Sequence, residues 1–379
     1  MKVPFFDLTF MHSEIATELL SALERVLLSN QFILGPEVEA LERELALYSG
    51  AKHAVGLSSG TDALLVALMA AGVGSGQEVI TTPFTFFATA GCIARLGARP
   101  VFADIDPATF NLDPGAVAAV FEERSRKAGR PPSALVVVHL FGQCCDMDPI
   151  LSEASRRGAA VVEDAAQAVG SRYKERHAGT FGAAGTFSFF PTKNLGGLGD
   201  GGMLLTSLPE VYEKSRMLRS HGSRTRYLHE IVGGNFRLDP LQAAALRVKL
   251  KRLNAWTEMR RKNARIYRAL FAEQDTHGRV ILPRESEDTF HTYHQFVVRV
   301  VNRESVRKRL GEKGIGTEVY YPRPLHLQPC FADLGYRKGS LPNAERACEE
   351  VLALPIFPGL GEEEQEAVVQ ALVECVKEA

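Results

Sequence analysis

Three stretches of this 379-residue chain bring together residue types that could do chemistry in concert. In Ser58-Ser59-Gly60-Thr61-Asp62-Ala63 a strand pattern gives way to a helix, where free backbone N–H groups can hold an anion. Gly60 lets the main chain approach closely and the Thr61 hydroxyl adds a donor, so a phosphate is the natural ligand; an ordinary capped helix start is the alternative. In Val161-Val162-Glu163-Asp164-Ala165-Ala166-Gln167 an apolar strand ends by delivering a carboxylate and then an amide, at the edge where an α/β sheet presents its ligands. The carboxylate could hold a protonated pyridine nitrogen or cap a helix. The third stretch runs from Gly185 to Gly197 and sets Lys193 among aromatics and glycines, followed by Gly199-Asp200-Gly201-Gly202. A lysine desolvated there has a lowered pKa and can form a Schiff base, against the alternative of a solvated surface residue. Ser188 is either a second phosphate donor or a strand hydroxyl satisfied locally.

These residues need a frame that brings strand ends together. From Ala51 to about Leu205, short β-branched runs alternate with helical stretches, and glycine, proline or small polar residues stand at the joins. The runs 78–81, 100–103, 134–138 and 160–162 read as strands buried on both faces, which implies a mostly parallel sheet between helices. Asp62 to Ala71 and Pro149 to Arg157 read as helices, with Thr61 and Asp148 as caps. Helices are also expected over Ser13–Leu28, Pro36–Tyr48, Asp239–Leu270 and Glu362–Val376, and strands over Thr289–Val301 and Ile315–Tyr320. The expected fold class is α/β. A large domain over residues 1–250 carries the sheet and the N-terminal helices, and a smaller α+β domain over 251–379 closes the chain.

Composition narrows the classes. The 44 Lys plus Arg stand against 45 Asp plus Glu, a net charge of −1, which excludes a counterion-driven nucleic-acid binder as the default. Hydrophobic residues at 45% and charged residues at 23% suit a well-cored globular protein rather than a disordered one. The six cysteines form no CxxC pair with ligand spacing, so a reduced, cytoplasmic protein with no metal is expected. Charged residues interrupt the N-terminus before a signal-length apolar stretch develops, and no apolar run reaches membrane-spanning length.

Together the motifs resemble the sugar aminotransferases of the DegT/DnrJ/EryC1/StrS family, pyridoxal-phosphate enzymes of fold type I. The resemblance extends from about Phe6 to Leu360 and keeps the family's order: Gln31-Phe32-Ile33-Leu34-Gly35-Pro36, Ser59-Gly60-Thr61-Asp62-Ala63-Leu64, Thr82-Pro83-Phe84-Thr85-Phe86, Val138-His139-Leu140-Phe141-Gly142-Gln143, Gly234-Asn235-Phe236-Arg237-Leu238-Asp239 and Tyr321-Pro322-Arg323-Pro324-Leu325-His326. It implies that Lys193 bonds the cofactor and shuttles the proton between cofactor and substrate carbons. Phe86 would stack on the pyridine ring, Asp164 would pair with the ring nitrogen, and Gln167 would meet the phenolic oxygen. Gly60, Thr61 and Ser188 would bind the phosphate, completed by Asn235 from the neighbouring subunit, which implies a homodimer with shared active sites. Arg237, Tyr321 and His326 are candidates for substrate contact or for interface packing, and His139 for a cofactor-side contact or a core histidine.

Within the family, Phe190-Pro191-Thr192-Lys193-Asn194-Leu195-Gly196 with Gly199-Asp200-Gly201-Gly202 resembles enzymes that act on 3-keto sugar nucleotides. The 4-keto group more often has histidine where Phe190 stands and Gly-Glu-Gly-Gly in place of Gly-Asp-Gly-Gly. Many 3-keto enzymes carry tyrosine at the position of Phe190. The implied partners are a nucleotide-linked keto sugar and L-glutamate, with no nucleic acid and no membrane. A nicotinamide-dependent dehydrogenase is disfavoured because no GxGxxG opens a helix after a first strand. Lys193 disfavours the related dehydratases, which carry histidine there. A 4-keto sugar nucleotide aminotransferase and a non-catalytic sensor or regulatory dimer on the same fold are the remaining alternatives.

Overall fold

The computed structural model describes residues 1–129, 131–276 and 278–378. The chain opens with α1 (Thr9–Ser29), whose buried Met11, Ile15, Leu19, Ala22 and Val26 recur at helical spacing and form one apolar face. Next comes α2 (Pro36–Ser49), set by proline in its first turn and stopped by Gly50 in the left-handed conformation.

Strands and helices then alternate as the sequence predicts: β1 (His53–Leu57), α3 (Gly60–Ala70), β2 (Glu78–Thr81), α4 (Ala88–Arg95), β3 (Arg99–Phe102), α5 (Pro114–Ala128), β4 (Ala134–Val138), α6 (Met147–Arg157) and β5 (Ala160–Asp164). A small hairpin, β6 (Arg172–Tyr173) and β7 (Arg176–His177), leads to β8 (Ala184–Ser188), β9 (Gly202–Thr206) and α7 (Pro209–Arg219). Among the described residues the main sheet has seven strands in the order β1-β9-β8-β5-β4-β2-β3. Its strands are buried on both faces, as their unbroken apolar runs require.

The C-terminal part follows a short pair, β10 (Ser223–Thr225) and β11 (Leu228–His229). It contains α8 (Pro240–Leu250), α9 (Leu253–Ala272), β12 (Val280–Ile281), β13 (Thr289–Phe290), β14 (Phe296–Val300), α10 (Arg303–Glu312), α11 (Pro342–Glu350), β15 (Val351–Leu354) and α12 (Glu362–Lys377). Here β12, β14 and β15 form a small antiparallel sheet. Its core takes in Val3 from the N-terminus and continues into Phe84, Phe110 and Phe141 at the edge of the main sheet.

Several local expectations are corrected. The side chain that caps α3 belongs to Ser59, whose Oγ accepts from the Asp62 N–H, and Asp146 rather than Asp148 stands at the start of α6. The helical stretch from 239 to 270 is two helices, because the chain turns at Lys251 and Arg252. Thr289–Val301 divides into β13 and β14, and 315–320 contributes isolated bridges from Ile315 to Val3 and from Glu318 to Ala353.

Candidate active site

Parallel strands carry their ligand sites in the loops beyond their carboxyl ends. In the main sheet β9 runs against a set of strands that otherwise share one direction. The segments that follow β1, β2, β5 and β8 therefore meet at one edge. They enclose a cavity of about 380 Å³ lined by Gly60, Thr61, Phe86, Asp164, Gln167, Ser188, Lys193 and Tyr321.

Gly202 at the start of β9 pairs with both Leu57 and Ser188, which sets the turn after β1 beside the end of β8. A Cβ at Gly202 would stand 2.3 Å from the Ser59 carbonyl oxygen, and one at Gly60 would stand 2.6 Å from Ser188 Cβ. Glycine at both positions is what lets the start of α3 close on Ser188. The Ser59 hydroxyl and carbonyl take the N–H groups of Asp62 and Ala63. The N–H groups of Gly60 and Thr61 precede these, beyond the reach of any carbonyl of the helix. With the hydroxyls of Thr61 and Ser188 they make a cradle of uncharged donors suited to a phosphate dianion.

Lys193 lies on the turn after β8. Among the described residues no hydrogen bond or ion pair holds its amine, and burial pushes its pKa down to about 8 against the opposing pull of Asp164. Asp164, at the last position of β5, is buried. Its Oδ2 accepts from the Thr89 hydroxyl at 2.8 Å and its Oδ1 from the Ala166 N–H at 3.2 Å, so it is held as an acceptor. A desolvated amine, a fixed carboxylate, a phosphate cradle and the 60% exposed ring of Phe86 match the donor set of pyridoxal phosphate.

Gln167 is fixed at both ends of its amide. Its Oε1 accepts from the Phe141 N–H at 2.8 Å and its Nε2 donates to the Tyr321 hydroxyl at 3.0 Å, which leaves one amide hydrogen for a ligand. Burial raises the Tyr321 phenol far above its ordinary value, so it stays protonated.

The remaining sequence candidates fall elsewhere. Asn235 is exposed and pairs with Ser220, and Arg237 pairs with Leu57 and lines a separate groove with Arg216, Arg219, His221 and Arg224. Neither lines the cavity of its own chain. The expectation of substrate contact at His326 is corrected. Its ring is buried against Phe102 and Tyr336, and its Nε2 bonds Glu345 at 3.0 Å, away from the cavity. His139 is a core histidine: its Nδ1 accepts from the Cys145 N–H and its Nε2 pairs with Glu163, which also takes the N–H groups of Gly179, Phe181 and Gly182.

The structure adds residues that sequence reasoning missed. Thr89 reaches Asp164 from α4, and Thr85 stands 3.2 Å from Thr89. Thr89 is fully buried on α4, and nothing in the spacing of the sequence marks it as a partner of Asp164. His294, Gln295 and Tyr320 reach the cavity from the C-terminal part, and no spacing in the sequence ties them to Lys193.

The profile of the DegT/DnrJ/EryC1/StrS aminotransferase family matches residues 13–373. The chain is 50% identical to a protein of Geobacillus stearothermophilus named pleiotropic regulatory protein, over 99% of this chain and 98% of that one. It is 42% identical to the dTDP-3-amino-3,4,6-trideoxy-alpha-D-glucose transaminase of Streptomyces venezuelae, over 98% and 96% of the two chains. The fold superposes on the crystal structure of S. venezuelae DesV in complex with a ketimine intermediate with a TM-score of 0.92, at 41% identity over 98% of each chain. Because the matched region contains the whole cavity and its lysine is intact, the chain belongs to the DegT/DnrJ/EryC1/StrS family, as a pyridoxal-phosphate-dependent sugar nucleotide aminotransferase of fold type I.

Proposed function

We propose that this enzyme transfers the amino group of L-glutamate to C3 of a nucleotide-linked 3-keto sugar. The substrate would be a dTDP-3-keto-6-deoxyhexose, or a UDP-2-acetamido-3-keto sugar or its uronate. The observation that carries the choice of C3 is the placement of Phe190 and Asp200. These are the positions at which the resemblance separates 3-keto from 4-keto enzymes, and both line the Lys193 cavity. Phe190, half exposed there, presents an apolar edge where a 4-keto enzyme would more often present an imidazole.

When bound, pyridoxal phosphate supplies an electron sink. The chain's own residues do the rest. Gly60, Thr61 and Ser188 grip the phosphate, Phe86 offers a ring face, and the remaining amide hydrogen of Gln167 is free to donate. The fixed carboxylate of Asp164 favours a proton on a ring nitrogen placed against it. Lys193 Nζ, with a pKa of about 8, can take a proton from carbon and return it near neutral pH. Keto-sugar panels assayed with glutamate, with the aminated carbon read by NMR, test the reading. Exclusive amination of 4-keto sugars would overturn the C3 assignment.

The proposal includes a homodimer in which Asn235 completes the phosphate site of the neighbouring copy. Its support is that Asn235 is exposed and outside its own cavity, while Leu20, Leu27, Leu28, Phe32 and Ile33 leave a row of apolar side chains uncovered on and just beyond α1. A cytoplasmic location fits six unpaired cysteines. Among the described residues no helix is long and apolar enough to cross a membrane.

The regulatory name of the Geobacillus relative favours a second reading, a sensor dimer on the same fold. Turnover of a keto sugar by purified protein would exclude sensing as its sole role.

A further inference from the structure

The back wall of the cavity is built by a segment that no sequence motif marks. Residues 292–295 are fastened to the loop after β4. Thr292 donates its N–H to the Gly142 carbonyl at 2.9 Å and Gln295 donates to the Phe141 carbonyl at 3.2 Å. Phe141 in turn orients Gln167. On its other side the same segment meets the residue after Lys193. Asn194, buried, donates to the Thr292 carbonyl at 3.5 Å, and its Oδ1 lies 3.3 Å from His294 Nδ1. His294 therefore touches the Lys193 turn and lines the cavity at the same time.

Behind His294 sits Arg260 of α9, buried and without a carboxylate partner among the described residues. Its Nη1 donates to the carbonyls of Tyr293 at 3.3 Å, His294 at 3.4 Å and Ile356 at 2.7 Å, and the guanidinium lies 5.9 Å from the Phe6 ring centroid. Removing a cation from water without an anion is costly. A chain that keeps one there, bonded to three carbonyls, uses it to set the path of the backbone it grips.

We propose that Arg260 and His294 are positioning residues for the transamination, holding the Lys193 turn against the 292–295 segment through Asn194 and closing the cavity wall beside the lysine. This rests on Lys193 as the reactive base. The titratable groups around Lys193 are Asp164 from β5, Asp200 ahead of β9, Tyr320, Tyr321 and His294, with Arg260 behind the imidazole. Burial and the charges of Lys193 and Arg260 all keep His294 neutral, and a neutral ring with hydrogen on Nδ1 donates to Asn194 Oδ1. The clamp thus adds a polar contact beside Lys193 without adding a second positive charge, and it keeps water from the amine.

The test measures Lys193 itself in cofactor-free protein. Acetic anhydride labelling across a pH series, read by peptide mass spectrometry against exposed Lys52, gives the protonation midpoint of Lys193. His294→Phe keeps the ring volume and loses the bond, His294→Asn restores a donor near the Nδ1 position, and Asn194→Ala cuts the clamp from the other side. His294→Phe and Asn194→Ala should each shift the midpoint by about one unit, downward where a polar contact is replaced by an apolar ring and upward where the loosened wall admits water, and lower kcat about fivefold to tenfold with KM little changed, with His294→Asn recovering most of both. A merely structural role would lower the melting temperature and leave the midpoint where it was. If either folded variant keeps the wild-type midpoint and kcat while Lys193→Ala is inactive, the positioning role is wrong. If Lys193→Ala itself retains turnover, the assignment of the base has failed instead.

Discussion

The hydroxyl of Thr89 donates to Asp164 Oδ2 at 2.8 Å, from a helix turn that packs against the strand end carrying the carboxylate. Both side chains are buried, so the bond is shielded from competing water. Thr89→Val keeps the shape and leaves one carboxylate oxygen unpaired, a loss of about 1–3 kcal/mol for a buried acceptor. The variant should bind pyridoxal phosphate at least severalfold more weakly, measured by equilibrium titration of the visible band. Wild-type affinity would show that Asp164 is held without Thr89.

Lys193→Ala should abolish transamination and the visible cofactor band formed by its amine. The spectrum of the purified variant after cofactor addition, with and without L-glutamate, checks both at once. Retained turnover would remove Lys193 from the chemistry.

Gly60→Ala should loosen the phosphate cradle, because its Cβ would fall 2.6 Å from Ser188 Cβ. Ser188→Ala relieves that clash only in part and removes a hydroxyl, so the double variant should be no better than either single change. Dissociation constants for the cofactor are expected to rise about tenfold, the equivalent of about 1.4 kcal/mol. An unchanged constant in Gly60→Ala would mean that α3 can shift to admit the methyl group.

Lys249 on α8 predicts a pH effect on folding. Its Nζ is buried, donates to the Gly196 carbonyl at 2.8 Å and meets His12 Nε2 at 3.1 Å. Burial pushes its pKa down to about 8 from an ordinary lysine's 10.5. Below pH 8 the folded and unfolded states both carry the proton and the full burial cost is present. Between about 8 and 10.5 the unfolded state keeps a proton that the folded state has shed, so stability rises with pH across that window. Lys193 adds a term of the same sign in cofactor-free protein. Lys249→Met should flatten the rise, measured by urea unfolding of cofactor-bound protein at pH 7.5 and 9.5, values bracketing about 8. Parallel profiles for variant and wild type would contradict a charged Lys249 in the fold below that window.

Mixed dimers test where Asn235 acts. Lys193→Ala and Asn235→Ala proteins, each inactive or weak alone, should regain about a quarter of wild-type activity after unfolding and refolding together, since one site in each mixed dimer is then intact. No gain on mixing would place Asn235 outside the neighbouring site.

Alternating strands and helices, the strand end that carries Asp164 and the glycine-rich turn of Lys193 were legible in the sequence. These are readable because burial on both faces demands unbroken apolar runs, and because a chain that must approach a ligand or turn sharply needs glycine. Boundaries were less legible where local signals compete. Ser59 and Thr61 are both good caps, and the register of β9 against β1, which brings Gly202 to Ser59, chooses between them. Packing across the sheet edge settles that Thr89 supports Asp164, that His326 belongs to a buried pair with Glu345, and that Arg260 stands behind His294, which meets Asn194 beside Lys193. Such contacts join residues between 19 and 100 positions apart. Their partners are set by how helices and strands pack across the sheet edge, and packing leaves no periodic trace in either segment.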